Sequence, residues 1–237
     1  MGASTSARPA STGKYSNSAF WEGLWRGNGL NTAVFLIAAY FIYGNPPGIG
    51  APADALAAFY AGHRTRILIV AIVFGLGVLN LMWFAAAIRS TLREAGQGGW
   101  GAAATTSSAA LGALFLMLMT VGVALAYSIA GTGNGALTSG LHQLAWVGFV
   151  MSAFPRAMLV MSGSFGLWRA GIISSRLFAL GVAAVVLGVL SGTTWMSGGF
   201  WAPDGAYSRL IFPIVFLAWL VVFGPIFKRA PATRGQW

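Results

Sequence analysis

Hydrophobic positions in this chain gather into long runs with few polar interruptions, separated by short segments rich in glycine and small polar residues. Six runs stand out, at about residues 28–44, 66–88, 106–129, 141–163, 175–195 and 209–227. Each approaches the roughly 20 residues an α-helix needs to cross a bilayer core. A helix that is apolar around its whole circumference belongs in lipid or in a large core. The pattern therefore predicts an all-α membrane protein with six transmembrane helices. "GNPPG" ends the first run, "STLREAGQGGWG" follows the second, and the uncharged "AGTGNGALTSG" follows the third, all turn-rich.

The polar ends frame this domain, which takes residues 20–229. Residues 1–19, "MGASTSARPASTGKYSNSA", are small, polar and aperiodic, and predict a disordered tail. Phe20, Trp21 and Trp25 predict an interfacial turn that anchors the first span. Residues 230–237 form a second short tail.

Charge orients the bundle. Only 8% of residues are charged, against about 25% in soluble domains. Ten basic residues lie on the tails and the second–third and fourth–fifth loops, among them Arg89, Arg93, Arg169 and Arg176, against Arg64, Arg66 and Arg209 elsewhere. The positive-inside rule then predicts both termini in the cytoplasm of a plasma membrane, and the arginine-rich composition points to a bacterial inner membrane. The net charge of +10 is scattered singly rather than clustered with aromatics, so nucleic acid is not an expected partner. Membrane lipids are. A homo-oligomer or a membrane-protein partner is left open by the GxxxG spacing of Gly188 and Gly192, which suits packing within one chain as well as between two.

One arginine breaks the pattern. "SAFPRAML" places Arg156 within the fourth run, 10 residues from Trp146 and 12 from Trp168. Those tryptophans are 22 residues apart, roughly 33 Å of helix, so they mark two interfaces with Arg156 near the midplane. A helix ending earlier would instead let the side chain snorkel to the surface. All four acids, Glu22, Asp54, Glu94 and Asp204, lie outside the runs. Ser152, one turn back, can receive the side chain, and Pro155 frees the carbonyl of Met151. Asn80 and Thr120 are polar at similar depth in their own spans and are candidate partners. This set, Arg156, Asn80, Ser152 and Thr120, reads either as a structural polar layer or as an anion- or lipid-binding site.

A second set gathers on the face opposite the basic loops: Asp54, His63, Arg66, His142 and Asp204, with Tyr60, Arg64, Gln143, Tyr207 and Arg209 nearby in sequence. Asp54 is placed to cap a short interfacial helix. Two histidines without a third ligand do not make a metal or haem site, so no metal or cofactor is expected. The chain has no cysteine, which removes disulfides and thiolate chemistry. A phosphate-binding glycine loop, a GxSxG elbow and paired intramembrane carboxylates are missing from the sequence, and no lysine lies within a span.

"HRTRILI", "LMWFAAAIRSTLRE", "FPRAMLVMSGSFGLWRAG" and "GGFWAPDGAYSR" resemble an uncharacterised family of small polytopic membrane proteins common in actinobacteria. The resemblance spans roughly residues 30–228. It implies a six-helix membrane fold and carries no activity. Sequence thus leads to a non-catalytic accessory, scaffold or regulatory membrane component. The alternative is a transporter or a lipid- or anion-binding protein built on Arg156 and Asn80.

Overall fold

The computed structural model describes residues 27–229; the tail 1–19, the turn at Phe20, Trp21 and Trp25 and the tail 230–237 lie outside them. The described chain is helical, with no strand. Eight α-helices follow in order: α1 Asn28–Tyr43, α2 Ala53–Gly62, α3 Arg64–Glu94, α4 Gly98–Ala124, α5 Gly135–Met151, α6 Ala153–Arg169, α7 Ser175–Ser191 and α8 Phe212–Arg229. A π-turn over Leu125–Ile129 and a 3₁₀ turn extend α4, and a second π-turn, Tyr207–Ile211, leads into α8 just ahead of Pro213.

Four continuous stretches, Arg64–Glu94, Gly98–Thr132, Gly135–Arg169 and Tyr207–Phe227, are long and apolar enough to cross a membrane. This is a membrane-embedded helical protein. The boundaries differ from those the hydrophobic runs predict. The third run begins eight residues early, because "GGWGAAAT" continues as helix from Gly98. The fourth is two helices, with the chain turning at Ser152, where Pro155 removes a backbone donor just downstream. The fifth stops at Ser191 rather than 195. With 16 and 17 residues, α1 and α7 are roughly 24–26 Å long, short of the about 30 Å core.

Glycines show how these shorter helices pack. A Cβ at Gly29 would meet Phe84 at 2.9 Å, one at Gly77 would meet Leu36 at 3.2 Å, and Gly44 faces the Arg66 guanidinium at 3.4 Å. α1 therefore runs antiparallel to α3 from the level of Phe84 to that of Arg66. In the same way a Cβ at Gly181 would run into Ser164, one at Gly188 would lie 3.5 Å from Ala157 and one at Gly192 would lie 2.8 Å from Phe154, so α7 runs antiparallel to α6. The small-residue stripe of α7 is thus used inside this chain.

Two tight reversals share one construction. Gly96 (φ 73°) and Gly171 (φ 69°) follow "REA" and "WRA". At each, the glycine N–H bonds the carbonyl three residues back, and the next N–H bonds the carbonyl five back: Gln97 to Leu92 at 2.7 Å, and Ile172 to Leu167 at 3.0 Å. This is the Schellman closure that a left-handed glycine permits. Between these ends the core is aromatic: Trp219 stacks on Phe216 and Phe223, while Phe84 meets Trp219 and Phe227 edge to face.

Candidate functional site

Arg156 is buried, with 3% of its surface exposed. It lies on the first turn of α6, and Nη2 donates to Oγ of Ser152 at the chain turn. Ser152 Oγ in turn donates to the Phe149 carbonyl at 2.5 Å. Four rings enclose the guanidinium: Phe212 at 3.7 Å from its carbon, Phe149 at 5.0 Å, Phe115 at 5.1 Å and Phe216 at 5.8 Å. A cation over a phenyl face is stabilised by roughly 0.5–2 kcal/mol when desolvated, so the rings offset part of the cost of burying the charge. Nε has no hydrogen-bond partner among the described residues. The space beside it, bounded by Ala157, Gly188 and Phe216, is about 10 Å³, the size of one water.

The predicted polar layer is only partly assembled. Ser152 joins Arg156; Asn80 and Thr120 do not. Asn80 Nδ2 donates to the Leu76 carbonyl at 2.8 Å, and Thr120 Oγ1 to the Leu116 carbonyl at 2.8 Å. Each satisfies itself on its own helix, the usual recourse of an isolated polar group in an apolar helix. The phenylalanine cage was not anticipated. Its signal lay in Phe149, one turn before Ser152, and in the Phe212/Phe216 pair four residues apart.

The second set also divides. Asp204 accepts the Ile49 N–H at 2.8 Å and pairs with Arg209 at 3.9 Å. Arg209 donates to Asn45 Oδ1 at 2.6 Å and to the Pro46 carbonyl at 3.4 Å, and its guanidinium lies 4.9 Å from the Trp146 ring. His142 Nε2 is 3.1 Å from the Pro47 carbonyl, and its Nδ1 is 2.9 Å from the Tyr60 hydroxyl. The segment Asn45–Ile49 is thereby fastened to His142 of α5 and to Asp204 and Arg209 at the start of the last helical stretch, while Tyr60 of α2 holds His142 from its other side. Asn45 and the "NPPG" backbone were missed as site members, although two prolines in succession restrict the conformations the segment can adopt.

The partners of His142 divide between its two neutral tautomers. With Nε2–H donating to the Pro47 carbonyl, Nδ1 of the neutral ring accepts from Tyr60. Burial, with Tyr43 close by, pushes the Tyr60 hydroxyl above the ordinary phenol range, which keeps it protonated as that donor. In the other neutral tautomer Nε2 accepts from Trp146 Nε1–H at 3.2 Å and Nδ1–H donates to Tyr60.

The remaining members lie apart. His63 Nδ1 turns back to the Phe59 carbonyl at 2.9 Å, its ring 5.0 Å from that of Phe59. Arg66 lies against Gly44 and 6.0 Å from the Phe59 ring. Asp54 does not cap α2: the cap position is Pro52, and the carboxylate, exposed in the first turn, bonds the N–H of Ala55 at 2.9 Å. Among the described residues no three histidine, aspartate or glutamate side chains converge as metal ligands. Neither a family model, nor a curated protein, nor a solved structure matches this chain.

Proposed function

We propose that this protein is a six-span plasma-membrane component with both termini in the cytoplasm, acting as a non-catalytic accessory or scaffold rather than as a conduit. The observation that carries this reading is the enclosure of Arg156. An anion pathway needs a wet approach to its cation, whereas this guanidinium is bounded by four phenylalanine rings and a space for one water. The second polar set supports the same reading, since its groups fasten one loop to α5 and to the start of the last helical stretch. α1 and α7 count as spans here because each runs antiparallel beside a full-length helix. The basic ends of α3, α6 and α8 set the orientation.

Flux through proteoliposomes tests this reading. Purified protein reconstituted at high density should pass chloride, nitrate and phosphate no faster than empty vesicles. Flux above that background, abolished by Arg156→Met, would replace the scaffold with the transporter reading.

A further inference from the structure

One surface groove has no part in either polar set. It lies at the opposite end of the bundle from the fastened loop, between the last turns of α3 and the first turns of α4. It measures about 170 Å³ and is lined by Ala86, Arg89, Ser90, Arg93 and Thr105. The space arises from close backbone approach and short side chains: a Cβ on Gly101 would lie 3.0 Å from the Cα of Arg89. Ala86, Arg89, Ser90 and Arg93 fall three and four residues apart, so they share one helix face.

The chemistry of this groove is specific. Arg89 and Arg93 are exposed, and among the described residues neither guanidinium makes a hydrogen bond or ion pair. Both hydroxyl donors are already engaged: Ser90 Oγ donates to Glu94 Oε1 at 3.1 Å and Thr105 Oγ1 to the Gly101 carbonyl at 3.0 Å. Recognition therefore rests on two guanidiniums, whose planar forks match phosphate oxygens. The two guanidiniums make the groove positively charged, which suits an anionic phosphodiester. Further along the same face, Trp83 and Leu79 are exposed at 57% and 55%, at the four- and three-residue spacing that continues the stripe. An acyl chain laid there would carry its headgroup into the groove. Free phosphate would use the guanidiniums and leave that stripe unused.

We infer that this groove is a binding site for the phosphodiester headgroup of an acidic phospholipid, with Arg89 and Arg93 on the phosphate and the Leu79–Trp83 face under the acyl chains. The test uses the full chain in detergent, titrated with phosphatidylglycerol, phosphatidylcholine or inorganic phosphate, and read by native mass spectrometry and by thermal unfolding. Phosphatidylglycerol should bind preferentially and raise the melting temperature. Arg89→Gln with Arg93→Gln should weaken it by about tenfold or more, while Arg169→Gln, at the same end but outside the groove, should not. Trp83→Ala should weaken phosphatidylglycerol and leave inorganic phosphate unaffected. Binding of inorganic phosphate alone, lost in the double variant, would keep the anion site and remove its lipid source. Equal binding of both lipids, or binding indifferent to the double variant, would overturn the site. If the double variant fails to fold, the single variants read the same loss in part.

Discussion

In an apolar bundle a guanidinium without a carboxylate must find its compensation in dipoles and ring faces. Arg156 takes one hydroxyl and four phenyl rings, and replacement by an apolar side chain of similar length removes both the burial cost and its compensation. Arg156→Met is therefore expected to leave the melting temperature unchanged or to raise it. Arg156→Ala opens a hole among the rings and should cost about 2–5 kcal/mol, and unfolding in detergent separates the two. Asn80→Leu should shift stability by no more than about 0.5 kcal/mol, since Asn80 bonds only its own helix. In the second polar set, Tyr60→Phe leaves His142 Nδ1 without its hydrogen-bond partner and should cost about 1–3 kcal/mol; His63→Gln, on a side chain that bonds only within its own segment, should change far less. At this scale the sequence was half legible. Ser152 was reachable by helical spacing, because it lies one turn from Arg156. The ring cage draws Phe115 and Phe212 from helices distant in sequence, and spacing along a single helix does not report such pairings.

The elements were more legible than their ends. Long apolar runs dictate helices, but helix ends follow local closure rather than hydrophobicity. Thus α3 continues through "RSTLRE" to a glycine that accepts positive φ, and α6 continues to Gly171 for the same reason. Alanine at Gly96 or Gly171 should cost about 1 kcal/mol or more through left-handed strain alone. Between helices the expectation is sharper. A Cβ on Gly166 would sit 2.6 Å from Leu92, and one on Gly163 would sit 2.8 Å from Trp219, whereas Gly75 meets nothing within 4 Å. Gly163→Ala and Gly166→Ala should each destabilise by about 1–3 kcal/mol, while Gly75→Ala should be neutral or slightly stabilising. Equal melting temperatures for all three variants would contradict the packing described for α3, α6 and α8.

For the whole molecule, two ends of different character emerge. One gathers the polar fastening of Asn45–Ile49; the other carries Arg89, Arg93, Arg169 and Arg176 with Glu94 as the sole acid among the described residues. Such asymmetry was visible in the sequence because topology is written in loop charge. Enclosure of the interior was not visible, because a wet cavity and a ring-lined pocket use the same apolar residue types. If the basic end faces the cytoplasm, alkaline phosphatase fused after Gly133 should be active and fused after Gly98 inactive; the reverse would invert the bundle. The central claim is that Arg156 is sealed, and exchange of its Nε–H with water measures that directly. In lipid nanodiscs, with the resonance assigned by its loss in Arg156→Met, the Nε–H of Arg156 should exchange far more slowly than those of the exposed Arg89 and Arg93. Exchange as fast as theirs would place Arg156 on an open aqueous path and contradict the account.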